Sequence, residues 1–125
     1  MAKSMHNDVA DAMLDKIATG NLMIACSAEP TTRAEAVTTY ALADVAMTVG
    51  DCNGDYTNAD GDTSGRKVTM SQKTGVTVDT SGTATHIAIV DGTTLLLVTT
   101  CTSQVLTSGN TVTFPAWDDE IADPS

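Results

Sequence analysis

The chain has 125 residues, enough for one domain with a modest core. Hydrophobic residues make up 42% of it, which excludes wholesale disorder, and only 3% is aromatic, so the core should consist of aliphatic side chains and Met. The net charge of −10 argues against binding to a nucleic-acid backbone and suits a soluble protein, or one that meets a basic partner surface.

The amino-terminal part predicts one short amphipathic helix over residues 7–18. Its apolar residues recur at helical spacing and form one stripe: Val9, Ala10, Met13, Leu14 and Ile17. Asn7 is the predicted N-cap, and Asp8 lies in the first turn, where the helix dipole favours an acid. The stripe is expected to pack on a sheet, because a helix this short is not stable alone.

The next segments predict strands and one ambiguous connection. Leu22–Cys26 is typical of a strand, and alternation over residues 45–49 predicts another, closed by Gly50. Residues 32–40 leave two alternatives open. Thr32 and Glu35 have the spacing of a capping box, which favours a short helix, whereas the threonines favour a loop.

The carboxy-terminal half predicts hairpins. Residues 67–73 and 76–79 are expected to pair around Thr74-Gly75. Asp91-Gly92 predicts a type I′ turn, in which both central residues have positive φ. Three consecutive leucines, Leu95–Leu97, predict a strand covered on both faces. Residues 108–110 predict a further turn, and Pro115 predicts an edge or a bulge in the strand that follows.

The whole pattern predicts a mainly-β fold: a β-sandwich or small barrel with one short N-terminal amphipathic helix. Residues 1–125 are expected to form a single domain, with a β region over 22–121 and flexible arms at 1–6 and 122–125. No apolar run approaches the ~20 residues of a membrane span, and the start lacks the pattern of a signal peptide. Three cysteines without a C-x-x-C pair indicate an intracellularly made protein with reduced thiols.

The stretch "DCNGDYTNADGD", residues 51–62, raises the question of a calcium site. Its oxygen-bearing side chains have ligand-like spacing: Asp51, Asn53, Asp55, Asp60 and Asp62. An EF-hand loop, however, needs Gly where Tyr56 stands and a bidentate Glu where Asp62 stands. A solvated, turn-rich connection is therefore favoured over a metal site, and no cofactor is expected.

The other reactive residue types form no recognisable catalytic pattern. His6 and His86 lack partners at ligand spacing, and the serines stand in no nucleophile motif. Consecutive acids at 118–120 indicate a charged, solvated end. The chain is therefore not expected to be an enzyme. Trp117 is either a core anchor or an interface residue, and the candidate interface residues are Trp117, Phe114, Val9 and Met13.

A resemblance narrows these expectations. A short helix, "GNLMI", a Thr/Gly-rich β region with "SGTATHIAIVDGTTLLLVTT", and "LTSGNTVTFPAWDDEIADP" follow one another. This order resembles the small β-rich virion structural proteins of tailed bacteriophages, of the capsid decoration (cement) or neck and head-fibre type. The resemblance implies a homo-oligomer, with a trimer favoured, that binds the major capsid protein or other virion proteins. It implies no active site; the net charge and the lack of a membrane-length apolar run argue separately against nucleic acid and membrane as partners.

Three functional hypotheses follow. The leading one is a non-enzymatic decoration protein on the outer head surface, synthesised in the host bacterial cytoplasm, that stabilises the shell. The alternative is a neck, collar or head/tail-fibre component, including a module that binds a host-surface glycan through exposed aromatics. The third, a calcium-dependent adhesive domain, rests on residues 51–62 alone.

Overall fold

The computed structural model describes residues 6–50 and 54–121. Its elements, in chain order, are α1 (Asn7–Ile17), β1 (Leu22–Cys26), a π-helical turn (Glu35–Thr39), β2 (Ala41–Ala46), β3 (Tyr56–Asp60), β4 (Arg66–Met70), β5 (Lys73–Thr77), β6 (Gly82–Val90), β7 (Leu95–Leu106), β8 (Thr111–Phe114) and β9 (Trp117–Ile121). The mainly-β prediction with one short helix is confirmed, and no closed barrel forms among the described residues. No helix in the described ranges is long and apolar enough to cross a membrane.

The chain divides by its contacts into two compact units. The first unit comprises the described parts of 1–19, 48–72 and 115–125, and the second comprises Gly20–Met47 and Lys73–Phe114. The sandwich arrangement and the single domain stay predictions. Of the predicted arms, only His6 lies within the described residues.

In the first unit, α1 begins at Asn7, the residue predicted as its N-cap, so the observed cap lies one residue earlier. His6 is the N-cap, and its Nδ1 accepts a hydrogen bond from the Asp8 backbone N–H at 3.1 Å. The buried face of α1 also differs from the expected one. Ala10 and Leu14 are buried, whereas Val9 and Met13 are more than half exposed. Ala10, the smallest residue of the predicted stripe, faces inward, which lets the helix axis approach the sheet.

The sheet of the first unit has the strand order β3-β4-β9, all antiparallel. Its register places Asn58, Val68 and Asp119 side by side on the face that α1 contacts. Tyr56 and Met70 lie on the same face and are fully buried, as is Val68. The prediction of a solvated connection over 51–62 is therefore wrong for residues 56–60, which form a strand with a buried tyrosine.

In the second unit, β2-β1-β6-β7 form an antiparallel sheet and β5-β8 form a two-stranded one. Ile24, Ala88 and Val90 build a core cluster with Cys26, and Ala36 of the π-helical turn packs against it. Met23 and Ile89, on the opposite face of β1 and β6, are also fully buried. These two central strands are thus covered on both faces. The prediction for 22–26 is confirmed, and 32–40 contains a single helical turn.

Two strand predictions are wrong in position. The strand expected over 45–49 ends at Ala46, because β2 continues the register that begins at Ala41 opposite Cys26. The hairpin expected around Thr74-Gly75 does not form. Gly75, at φ 65°, instead lies within β5, where the register with β8 shifts between Lys73 and Val76. A bulge, rather than a turn, uses the conformational freedom of this glycine.

The hairpin of β6 and β7 is present, but its turn is not of type I′. Gly92 does not have a positive φ, and the Asp91 carboxylate shapes the connection. Asp91 Oδ1 accepts hydrogen bonds from the backbone N–H groups of Thr93, at 2.8 Å, and Thr94, at 2.6 Å. The leucines at 95–97 are only half-buried, because β7 is an edge strand. Pro115 lies between β8 and β9, outside both strands, where its missing N–H removes no ladder hydrogen bond.

Candidate functional site

The acidic segment of the first unit is the strongest sequence-based site, and the structure shows how each described acid is used. Asp55 is 7% exposed. Its Oδ2 accepts a hydrogen bond from the Thr48 N–H at 2.5 Å, and its Oδ1 accepts one from the Ser71 hydroxyl at 2.6 Å. Its backbone oxygen accepts the Ser71 N–H at 3.0 Å. Asp55 therefore links the segment that precedes β3, at Thr48, to the residue that follows β4, Ser71.

Asp60 lies at the far end of β3 and belongs to an ion-pair group around Arg66. The Arg66 Nε donates to Asp11 Oδ1 of α1 at 2.8 Å, and its Nη1 donates to Asp60 Oδ1 at 2.8 Å. The hydrogen bonds that Arg66 donates to the Asp11 carboxylate, and then to Asp60, raise the pKa of Arg66 above its ordinary value. The guanidinium thus links the helix to the sheet.

Asp62 is the first partner of a second ion-pair group, around Lys67. The Lys67 ammonium lies 2.7 Å from Asp62 Oδ1 and 3.4 Å from Asp118 Oδ2. The hydrogen bond to Asp62 is the main cause that raises the pKa of Lys67, and Asp118 contributes less. Asp62 is exposed, so this pair resembles an ordinary surface salt bridge.

The tight turn between β3 and β4 depends on Gly61. A Cβ at this position would overlap the Ser64 carbonyl oxygen and the Glu120 carboxylate. That carboxylate also accepts a hydrogen bond from the Thr63 N–H at 3.1 Å, so it holds the turn from the neighbouring strand. Glu120 is thus a structural residue of β9.

The calcium candidates are therefore not gathered at one centre within the described chain. Asp55, Asp60 and Asp62 each contact a different structural partner. Asp51 and Asn53 lie outside the described residues. In the ranges 6–50 and 54–121, no group of three or more His, Cys, Asp or Glu side chains is arranged to share a metal ion.

The acids at 118–120 are not the solvated end that the sequence indicates. They form β9, and their backbone pairs with β4. Asp119 is half-buried on the face that α1 contacts. Burial raises the pKa of its carboxyl, and the neighbouring Asp118 raises it further. The alternation of a strand thus gives adjacent acids different environments.

The four candidate interface residues differ in exposure. Val9 and Met13, one turn apart on α1, are 52% and 54% exposed and form a small apolar patch. Trp117 is half-buried at the start of β9, opposite Met70. Phe114 is only 3% exposed and pairs with Lys73 within the second unit. Phe114 is therefore a core residue, and its prediction as an interface residue is wrong.

His86 and Cys26, in the second unit, lie in environments that give them no sign of chemical reactivity. His86 lies half-buried in β6, with its Nδ1 2.8 Å from the Thr85 hydroxyl. Cys26 is fully buried, and desolvation, with a smaller effect of Cys101, raises the pKa of its thiol to about 11. A thiol with this pKa is almost entirely protonated at neutral pH and is a poor nucleophile.

Sequence reasoning missed one surface of the second unit, the outer edge of β7. The leucines suggested a covered strand, whereas Thr100, Thr102 and Val105 are exposed. A signal was nevertheless present, because residues 92–117 contain no Asp, Glu, Lys or Arg. So long an uncharged run is unusual in a chain of net charge −10.

The fold and these contacts define a small, β-rich protein in which Asp55, Asp60 and Asp62 serve structural roles. No family model, curated protein or solved structure matches the chain.

Proposed function

We propose that this chain is a non-enzymatic structural protein of a tailed-bacteriophage virion: a capsid decoration (cement) protein that binds the outer head surface and stabilises the shell. The observation that carries the proposal is the use of the acids at 55–62. Asp55, Asp60 and Asp62 hold the first unit together by separate hydrogen bonds and ion pairs. This use suits a structural module, and it supports the resemblance noted in the sequence.

The surface of the first unit supports attachment to a basic partner. Its sequence ranges contain eleven acidic and four basic residues. Arg66 and Lys67 are already engaged by acids of the same unit, so the excess charge that remains is negative. The Val9 and Met13 patch lies on α1 beside the exposed Asp8. An apolar contact rimmed by acids would fit a basic, partly apolar surface of the major capsid protein.

Many copies on a symmetric lattice would make weak contacts of this kind sufficient. Each copy needs only a modest affinity when neighbouring capsid subunits are bridged repeatedly, because linked binding events raise the overall avidity. The stabilisation of the shell then comes from the number of bridges. Removal of the protein is expected to lower the resistance of virions to heat and to low salt.

Copy number tests the proposal directly. Quantitative mass spectrometry of purified virions should find hundreds of copies, in a fixed ratio to the major capsid protein. About a dozen copies would assign the protein to the neck or collar, where ring symmetry limits the number of subunits. Absence from purified virions would overturn the virion role itself.

An add-back assay tests the surface. Heads that lack the protein are mixed with purified wild type, Met13→Glu or Val49→Glu, and bound protein is measured after sedimentation. Met13 and Val49 are similarly exposed, at 54% and 47%, but only Met13 belongs to the α1 patch. Met13→Glu should bind more weakly than wild type, and Val49→Glu should bind normally. Equal binding by all three proteins would refute a role for the α1 patch.

A further inference from the structure

β7 is an open edge of the four-stranded sheet in the second unit. It is the longest strand, with 12 residues, and within the described chain it pairs only with β6. In an antiparallel pair, alternate residues direct their N–H and C=O groups away from the partner strand. The outer side of β7 thus presents a row of backbone donors and acceptors that another strand could pair with.

Three other edge strands in the described chain, β2, β3 and β9, are covered or charged. The Leu42 carbonyl of β2 accepts hydrogen bonds from the N–H groups of Asp79, at 2.8 Å, and Thr80, at 3.1 Å. β2 also carries Asp44, β3 carries Asp60, and β9 carries three consecutive acids. β7 has no charged residue. It therefore lacks the charges by which natural proteins keep edge strands from pairing.

We propose that β7 pairs antiparallel with β7 of a second copy of this chain, joining two four-stranded sheets around a two-fold axis. Charge selects this occupant. Two copies of net charge −10 repel each other, so they can approach closely only through a neutral surface, and residues 92–117 supply one. An antiparallel pair of identical strands is self-complementary and closes as a dimer. The pairing does not depend on the proposed virion role.

A bulge in β7 indicates where the proposed two-fold axis lies. The register with β6 runs from Thr100 opposite His86 to Gln104 opposite Ala84, so residues 101–103 bulge. A bulge alone would blunt an edge. With the axis at Thr102, however, the bulges of the two copies coincide, and residues 98–100 lie opposite 104–106 of the second copy. Val105, which is 77% exposed, would then lie beside Thr99 of the second copy and become covered.

Sedimentation equilibrium of wild type, Val105→Lys and Val49→Lys tests the pairing. Wild type should be a dimer that dissociates on dilution. Val105→Lys should weaken the dimer by about tenfold or more, because two ammonium groups are buried near the axis. Val49→Lys makes the same change at another exposed valine and should leave the dimer unchanged.

A cross-linking experiment gives an independent measurement. Thr102→Cys and Thr80→Cys are prepared in a Cys52→Ser, Cys101→Ser background and oxidised in air with copper phenanthroline. Thr102→Cys should form a disulfide-linked dimer rapidly, because the residue faces its own copy across the axis. Thr80→Cys, at the covered β2 edge, should not. Circular dichroism confirms the fold of each variant.

The outcomes decide the proposal. A wild type that remains monomeric at about 1 mM would overturn it. So would a trimer, or any oligomer that Val105→Lys leaves intact, and so would equal cross-linking at residues 80 and 102. A dimer that is sensitive to Val105→Lys and cross-links through residue 102 would support it and replace the expected trimer. Neither result bears on the copy number in virions, so the two proposals fail separately.

Discussion

Asp55 offers the sharpest test of how the acidic segment works. Its carboxylate accepts hydrogen bonds from the Thr48 N–H and the Ser71 hydroxyl in a nearly water-free position. A hydrogen bond to a charged group contributes roughly 1.5–3 kcal/mol, and a buried donor left without a partner adds a desolvation cost. Asp55→Ala removes both acceptors. We expect it to lower the free energy of unfolding by about 3–5 kcal/mol.

Asp55→Asn separates the charge from the geometry. The amide keeps one oxygen that can accept a hydrogen bond, but its NH₂ group cannot accept the other, so about half of the loss is expected, roughly 1.5–3 kcal/mol. Asp62→Asn is the matched control in the same segment. Asp62 is exposed, and its ion pair within the described residues is with Lys67, so this variant should lose less than about 1 kcal/mol.

Urea unfolding followed by circular dichroism measures all three variants, in the presence and absence of millimolar Ca²⁺. The reasoning is refuted if Asp55→Asn unfolds at the same urea concentration as Asp62→Asn. A midpoint for wild type that rises with Ca²⁺, and does so no longer in Asp55→Asn, would instead assign Asp55 to a cation site. The same experiment therefore separates the structural interpretation from the metal-binding one.

Three further predictions concern single side chains. Leu14→Ala should cost about 2–5 kcal/mol because the leucine is fully buried, whereas Met13→Ala on the exposed face should change urea stability by less than about 0.5 kcal/mol, and equal losses would contradict the assigned helix face. Burial and a neighbouring acid raise the pKa of Asp119, so the folded state binds its proton more tightly and gains stability as the pH falls through the folded pKa. Asp119→Asn should therefore melt at a higher temperature than wild type at pH 7, with the gain vanishing below about pH 4; an equal gain at both pH values would count against this cause. Cys26 should resist alkylation in the native protein at pH 8, and Cys101 should react faster, as mass spectrometry of labelled peptides can determine.

Local sequence patterns predict an element correctly where one property, such as apolar spacing or an aliphatic run, determines its structure. The helix at 7–17 follows from its spacing and its first-turn acid, and Leu22–Cys26 follows from its aliphatic run. The inward face of the helix was predicted less well. Val9 and Met13 are larger than Ala10, but close approach to a sheet favours the small side chain, and spacing alone does not show that preference.

Tertiary pairing explains the larger errors. Thr74-Gly75 has the composition of a turn, but β8 pairs across it and converts the glycine into part of a bulge. Tyr56 looked like a residue of a polar loop because of the acids around it. It is buried because β3 has a strand partner and a helix over one face, and neither is visible in residues 51–62. The composition of a segment gives only its average polarity. In a strand, alternate residues face opposite sides, so a mostly polar segment can still bury one residue such as Tyr56.

The two proposed surfaces differ in charge, so salt should affect their associations in opposite ways. The first unit has a net charge of −7 by sequence, so its attachment to a basic partner should weaken steeply as salt screens the attraction. The β7 edge is uncharged, and salt would act on its self-pairing mainly by screening the repulsion between two acidic copies. Raising the salt concentration should therefore release the protein from heads while it preserves or strengthens the dimer. If both associations weakened together with salt, one charged surface would serve both, and the neutral edge of β7 would not be the site of self-association.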